Sequence, residues 1–212
     1  MFLIGTLSLV AFANGGKVES IGSLTDPGAS ASVKGALESA GYRVTAGDGS
    51  VVCELWLRKA LPAAQKGDVQ GAIYPAIGDS ALVGVISFPK PTTDFRGQSI
   101  KPGVFTLRYA VHPNDGNHLG ISPNRDFLLM VPVAADQDAT ASFSFEDLVK
   151  MSKKASGTNH PAGLSLVSVE GRKDFPSVAQ DDSNHIIFVG KIKSASGTDV
   201  PFALIVKGVA EQ

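Results

Sequence analysis

The stretch YRVTAGDGSVVCELWLR, Tyr42 to Arg58, decides the fold. Its centre, Gly47-Asp48-Gly49, is turn chemistry: glycine enters the left-handed region without steric cost, and aspartate closes a tight turn with its own carboxylate. The flanking runs are rich in β-branched and aromatic residues, so the segment predicts an antiparallel hairpin. Side chains along a strand switch faces with period two. Cys53, Leu55 and Leu57 therefore share one face of the second strand, and Glu54, Trp56 and Arg58 share the other.

Further along the chain the same alphabet recurs. ALVGVISFP (81–89) reads as a strand that stops at Pro89, since proline cannot continue a paired ladder. KPGVFTLRYAV (101–111) is a Lys-Pro-Gly turn feeding a strand in which Phe105, Leu107, Tyr109 and Val111 share a face. DFLLMVPV (126–133) is apolar without alternation, which predicts a strand covered on both sides. Three further strands are expected over 164–169, 186–192 and 202–207.

Two segments carry the helical period instead. In GASASVKGALESAG (28–41), Val33, Ala36, Leu37 and Ala40 fall on one side and Gly41 supplies a stop. In SFEDLVKMSKKASG (144–157), Ser144 and Asp147 form a capping box, Phe145, Leu148, Val149 and Ser152 line one side, and Gly157 ends the helix. The expected fold is mainly β, an antiparallel β-sandwich or jelly-roll-like domain of about eight strands with one or two peripheral helices. KPGVFTLRYAV also resembles the Pro-Gly-x-aromatic strand opening of exported bacterial β-sandwich domains. That resemblance covers about ten residues and transfers no active site.

The chain has 212 residues, of which 18% are charged, and its net charge of −1 leaves no global basic field for nucleic acid. It opens MFLIGTLSLVAFANGG, an apolar run closing on the small-x-small pattern Ala11-Phe12-Ala13, although no Lys or Arg precedes it. Residues 1–13 are therefore expected to be a signal peptide, with 14–212 a single domain that is secreted or periplasmic. The run falls short of the roughly 20 residues needed to span a bilayer, so no integral membrane segment is expected in the mature chain. Cys53 is the only cysteine, which excludes an internal disulfide.

Candidate sites fall into two groups. Trp56, the only tryptophan, flanked on its face by Glu54 and Arg58, would make a stacking platform for a sugar ring or another planar group if that face were open. If the first helix covers it, the charged neighbours would instead snorkel around the ring. The second group is the histidines. Three follow asparagine, as Asn117-His118, Asn159-His160 and Asn184-His185, and the fourth, His112, opens HPNDGNH. His112, Asp115, His118 and His160 are residue types that ligate a divalent metal, but their loop spacing fixes no geometry. Asn-His in a Gly- and Pro-rich loop is equally what turn chemistry produces, and the oxygen-rich loop Pro113 to Asn117 reads as a surface turn rather than a calcium loop.

One echo singles out His160. KASGTNHPAGL (154–164) nearly repeats as SASGTDVPFAL (194–204), with Val200 in the place of His160, so the turn itself does not require an imidazole. No nucleophile elbow and no phosphate-binding glycine motif occurs. The expected function is a non-enzymatic exported protein binding a small ligand, glycan or partner surface through Trp56, Glu54, Arg58, Asn117, Asn159 or His160. A hydrolase using a divalent metal on the loop histidines is the alternative, and the only cofactor any reading calls for. A structural envelope protein whose sheet edges pair with copies of itself is the second alternative.

Overall fold

The computed structural model describes residues 16–63, 70–113 and 124–210. The expected signal segment, Asp115, Asn117 and His118 lie outside the described residues. The Gly-Asp-Gly hairpin forms as its sequence dictates, joining β2 (Gly41–Ala46) to β3 (Val51–Leu57). Gly49 sits at φ +83°, and the Asp48 carboxylate accepts the Ser50 N–H at 2.8 Å.

Around this hairpin runs one ten-stranded antiparallel sheet. It comprises β1 (Gly16–Ile21), β2, β3, β4 (Leu82–Phe88), β7 (Gly103–Val111), β8 (Asp126–Pro132), β9 (Gly163–Val167), β12 (Asp199–Lys207), β11 (Ile186–Lys193) and β10 (Ser177–Gln180), in that spatial order. Two-residue strands β5 (Thr92–Thr93) and β6 (Ser99–Ile100) form a separate small hairpin between β4 and β7. The first seven strands of that order, β1 to β9, form a meander. The chain then runs to the far edge and returns through β10, β11 and β12, laying β12 beside β9 in a Greek-key return. The polar edge strands β1 and β10 approach one another, so the sheet is nearly closed and sandwich-like.

One face of the sheet wraps the main core. Cys53, Leu55, Leu57, Leu107, Tyr109, Leu128, Met130, Phe188 and Leu204 all point into it, in the alternation read from the sequence. Burial drives the Cys53 thiol well above its ordinary range, leaving it an inert apolar group. At one end, the fully buried Asp126 carboxylate accepts the N–H groups of Ile73 and Tyr74 and lies 3.0 Å from the Tyr109 hydroxyl. Burial, the largest cause, pushes the Tyr74 phenol up to about 12.

The outer face is apolar as well, and three patches of it are covered. Over β3 and β4 lies α1 (Ala31–Ala36), with Val33 and Leu37 packed on Trp56 and Val85. Over β7 and β8 lies α2 (Phe145–Ser156), with Leu148 on Ala110, Phe127 and Leu129. Over β11 and β12, Phe95 and Phe175 cover Ile187, Val189 and Ile205. This double covering explains the unbroken apolar run of β8: Leu128 and Met130 face inward, Phe127 and Leu129 outward under α2. Between α1 and α2, the segment after β8 is pinned to the outer face by Arg108. Its guanidinium is fully buried, makes two 2.7 Å bonds to Asp136 and donates to the carbonyls of Ser80, Asp138 and Ala141. Every N–H of the fork is used, which is the condition for a buried charge to be tolerated.

The capping of α2 follows the sequence closely. Ser144 Oγ accepts the Asp147 N–H, and Gly157, at φ +66°, donates to Lys153 O. The first helix differs from expectation. It ends at Ala36, Leu37 leaves the helix with extended backbone, and Gly41 opens β2 rather than capping α1. The reason is steric: a Cβ on Gly41 would lie 2.4 Å from Trp56 Nε1, so glycine is there to admit the indole. Strands β1 and β10, which were not expected, are edge strands with no buried residue, and so lack the apolar alternation that reveals the others.

Candidate functional site

The Trp56 face is not an open platform. Trp56 is 5% exposed, packs beneath α1 with Leu24, Val33 and Leu37, and donates Nε1–H to Gly22 O at 2.9 Å. Its two neighbours are likewise engaged. Glu54 accepts two bonds from the Arg43 guanidinium, at 2.7 and 3.0 Å, and Arg58 donates to the carbonyls of Ala60 and Ala139. A large aromatic gains more from burial than from display, so of the two readings of Trp56, Glu54 and Arg58 the structure has the covered one, with the indole sealed under α1 in place of an open stacking platform.

The histidines are distributed differently. His112, at the end of β7, and His160, in the loop after α2, line one pocket of about 490 Å³ on the outer face. Asn159 lines it too. His185 is elsewhere: Nδ1 is 2.8 Å from Asp181 Oδ2 and Nε2 is 2.9 Å from Val209 O. Of the expected metal set, Asp115 and His118 lie outside the described residues, and among the described residues no three His, Cys, Asp or Glu side chains are grouped to hold a metal ion. Asn117 also lies outside them.

The pocket exists for a local reason. α2 covers β8 with Leu148 and presents Phe145, Val149 and Lys153, four residues apart and so on one stripe, along one wall. The floor is Phe127 and Leu129 of β8 continuing onto Gly163 and Ser165 of β9. Those two outward positions of β9 carry almost no side chain, so the space beside the helix stays empty. The opposite wall is Phe95 and Arg96, at the tip of the β5–β6 hairpin.

Each wall is fixed by hydrogen bonds rather than left to pack loosely. The buried Asp94 carboxylate accepts the N–H groups of Arg96, Gln98 and Gly163 and the Gln98 side-chain amide. Gln98 in turn donates to Pro161 O and accepts the Thr158 hydroxyl at 2.6 Å, tying the hairpin to the His160 loop. At the helix end, the Ser152 hydroxyl donates to Ala162 O and accepts Ala162 N–H, both at 2.9 Å. The His160 backbone is held as well, its N–H donating to Thr158 Oγ1 and its carbonyl accepting from Ser156 Oγ. His112 stacks on Phe127 at 4.2 Å between ring centroids and meets Phe145 edge-on at 6.2 Å.

What results is a preformed concavity with an apolar lining and a few polar groups at its margin. His160, Asn159 and Arg96 are exposed, so it communicates with solvent. Its volume falls within the roughly 300–1,000 Å³ range of small-molecule sites. Fold and site together define a mainly β protein with a lateral pocket between a helix and the outside of its sheet. No protein-family model matches the chain, and no curated protein or solved structure matches it either.

Arg96, Phe95 and the small residues of β9 carry no signal of the pocket in the sequence. A glycine and a serine in a strand carry no chemistry of their own, and Arg96 signals nothing until the hairpin is folded over β9. His160 stands out through the echo with SASGTDVPFAL, and Asn159 through the Asn-His pairs. That second copy is the β11–β12 turn, closed by Ser194 N–H to Thr198 O with Gly197 at φ +82°, whereas the first follows a helix cap. The two copies share turn residues and not a context.

Proposed function

We propose that the protein is an exported, non-enzymatic binding protein that holds a small, mainly apolar ligand in the pocket beneath α2. The observation that carries the proposal is the pocket itself: its apolar walls are held by hydrogen bonds centred on the buried Asp94 and Ser152 and the half-buried Gln98. A gap left by poor packing would lack such supports, because each buried polar group costs free energy unless it is paired. Export is supported only by the apolar N-terminal run.

The test uses N-phenyl-1-naphthylamine, a neutral probe that fluoresces on entering an apolar site. The protein is expected to bind it saturably, and Val149→Trp, which fills the pocket from the helix side, to weaken binding at least tenfold. Trp56→Phe, on the sealed side, is expected to leave binding intact. Absence of saturable binding, or binding indifferent to Val149→Trp, sinks the proposal.

One observation favours the metal-assisted alternative, namely that His112 and His160 line the same pocket. Zinc titration monitored at the histidine ring resonances separates the two readings. Stoichiometric shifts of both rings support the metal reading, and unmoved rings exclude it.

A further inference from the structure

We propose that the ligand is an organic anion: an apolar body carrying one carboxylate, seated with its charge between Arg96 and Lys153. The assignment rests on the pocket being a binding site, and it goes further by naming the class of molecule.

Charge at the pocket has one sign. Among the described lining residues, Arg96 and Lys153 are the ionised groups, and no Asp or Glu accompanies them. In a chain whose acidic residues outnumber Lys and Arg by 20 to 19, a mouth with cations alone departs from the average surface. Neither cation is in an ion pair among the described residues, whereas Arg43, Arg108 and Lys193 are all paired.

The nearby carboxylate has been removed from competition. Asp94, two positions from Arg96, is fully buried, and its oxygens face the backbone N–H groups of Arg96, Gln98 and Gly163 and the Gln98 amide rather than the guanidinium. Lys153 is equally unneutralised along its own helix. The neighbours three and four positions away are Val149, Lys150, Ser156 and Gly157, so no acid stands at pairing distance on α2. Lys153 also favours the negative helix end, but that role would be served with the ammonium facing solvent. Lys153 is also one of the residues that line the pocket.

Between these cations the walls are Phe95, Phe127, Leu129, Phe145 and Val149. A neutral apolar ligand would fill the walls and leave the cations to water. A carboxylate on the same body would also satisfy a guanidinium and an ammonium, which strengthens as the ligand excludes water.

Competition between decanoate and decanol for the bound naphthylamine probe tests this. Decanoate is expected to displace the probe at about fivefold lower concentration than decanol, in line with two partly exposed charge contacts. Arg96→Gln and Lys153→Gln are each expected to narrow the ratio, Arg96→Lys to retain it, and high salt to shrink it. Decanoate that needs the same concentration as decanol or a higher one to displace the bound probe overturns the anion assignment while leaving the pocket standing. Failure of the probe to bind at all overturns both.

Discussion

The two helices do the same job on the outside of the sheet and leave opposite results. Under α1 the sheet presents Trp56, which fills the space so completely that the adjacent strand must carry glycine at position 41 to make room. Under α2 the sheet presents Phe127 and Leu129, then falls away to Gly163 and Ser165 on β9, and a pocket of about 490 Å³ remains. Both covers are anchored by helix caps and buried apolar contacts. The difference lies in the size of the outward residues on the strand beyond the helix. Whether a covered face is sealed or hollow is thus decided by a few small side chains, not by the helix.

Substitutions can break or sharpen that contrast. The largest expected effect is from Trp56→Ala, which empties the sealed side and should cost about 3–5 kcal/mol in denaturant unfolding, without displacing a pocket ligand from the folded fraction. Next come two adjacent leucines, each 0% exposed but on opposite faces of β8. Leu128→Ala opens the main core and should cost within the range of roughly 2–5 kcal/mol, whereas Leu129→Ala, bordering space that already exists, should fall at or below its lower end. Equal losses at the two positions would mean that the pocket floor is packed as tightly as the core.

The sharpest comparison is the same chemical change made on both sides. Gly41→Ala drives a Cβ to 2.4 Å from the Trp56 indole and should cost about 1–3 kcal/mol. Gly163→Ala places its Cβ at an ordinary 3.4 Å from Phe127 and should be neutral or stabilising by up to about 1 kcal/mol. Chemical denaturation of the two variants side by side checks both. Matching destabilisation would contradict the account of why one side is full and the other empty.

Much of the framework could be read in the residues. The Gly-Asp-Gly hairpin, the alternation of β3 and β7, the two-sided burial of β8 and both caps of α2 are local chemistry, set within a few residues of where they act. Edge strands β1 and β10 escaped notice because neither buries a residue. The candidate site was legible only in fragments. His112 and His160 come from opposite ends of the β7–β8–α2 path, and nothing in either neighbourhood encodes their meeting. Trp56 showed the converse: alternation placed it on the correct face of β3, but whether a helix covers that face is a tertiary fact.

The most direct measurement is methyl and indole NMR of the protein titrated with decanoate. The account predicts saturable shifts at the Leu129 and Val149 methyls while the Trp56 indole N–H and the Leu128 methyls stay in place. Shifts centred on Trp56, or none at millimolar decanoate, would contradict it.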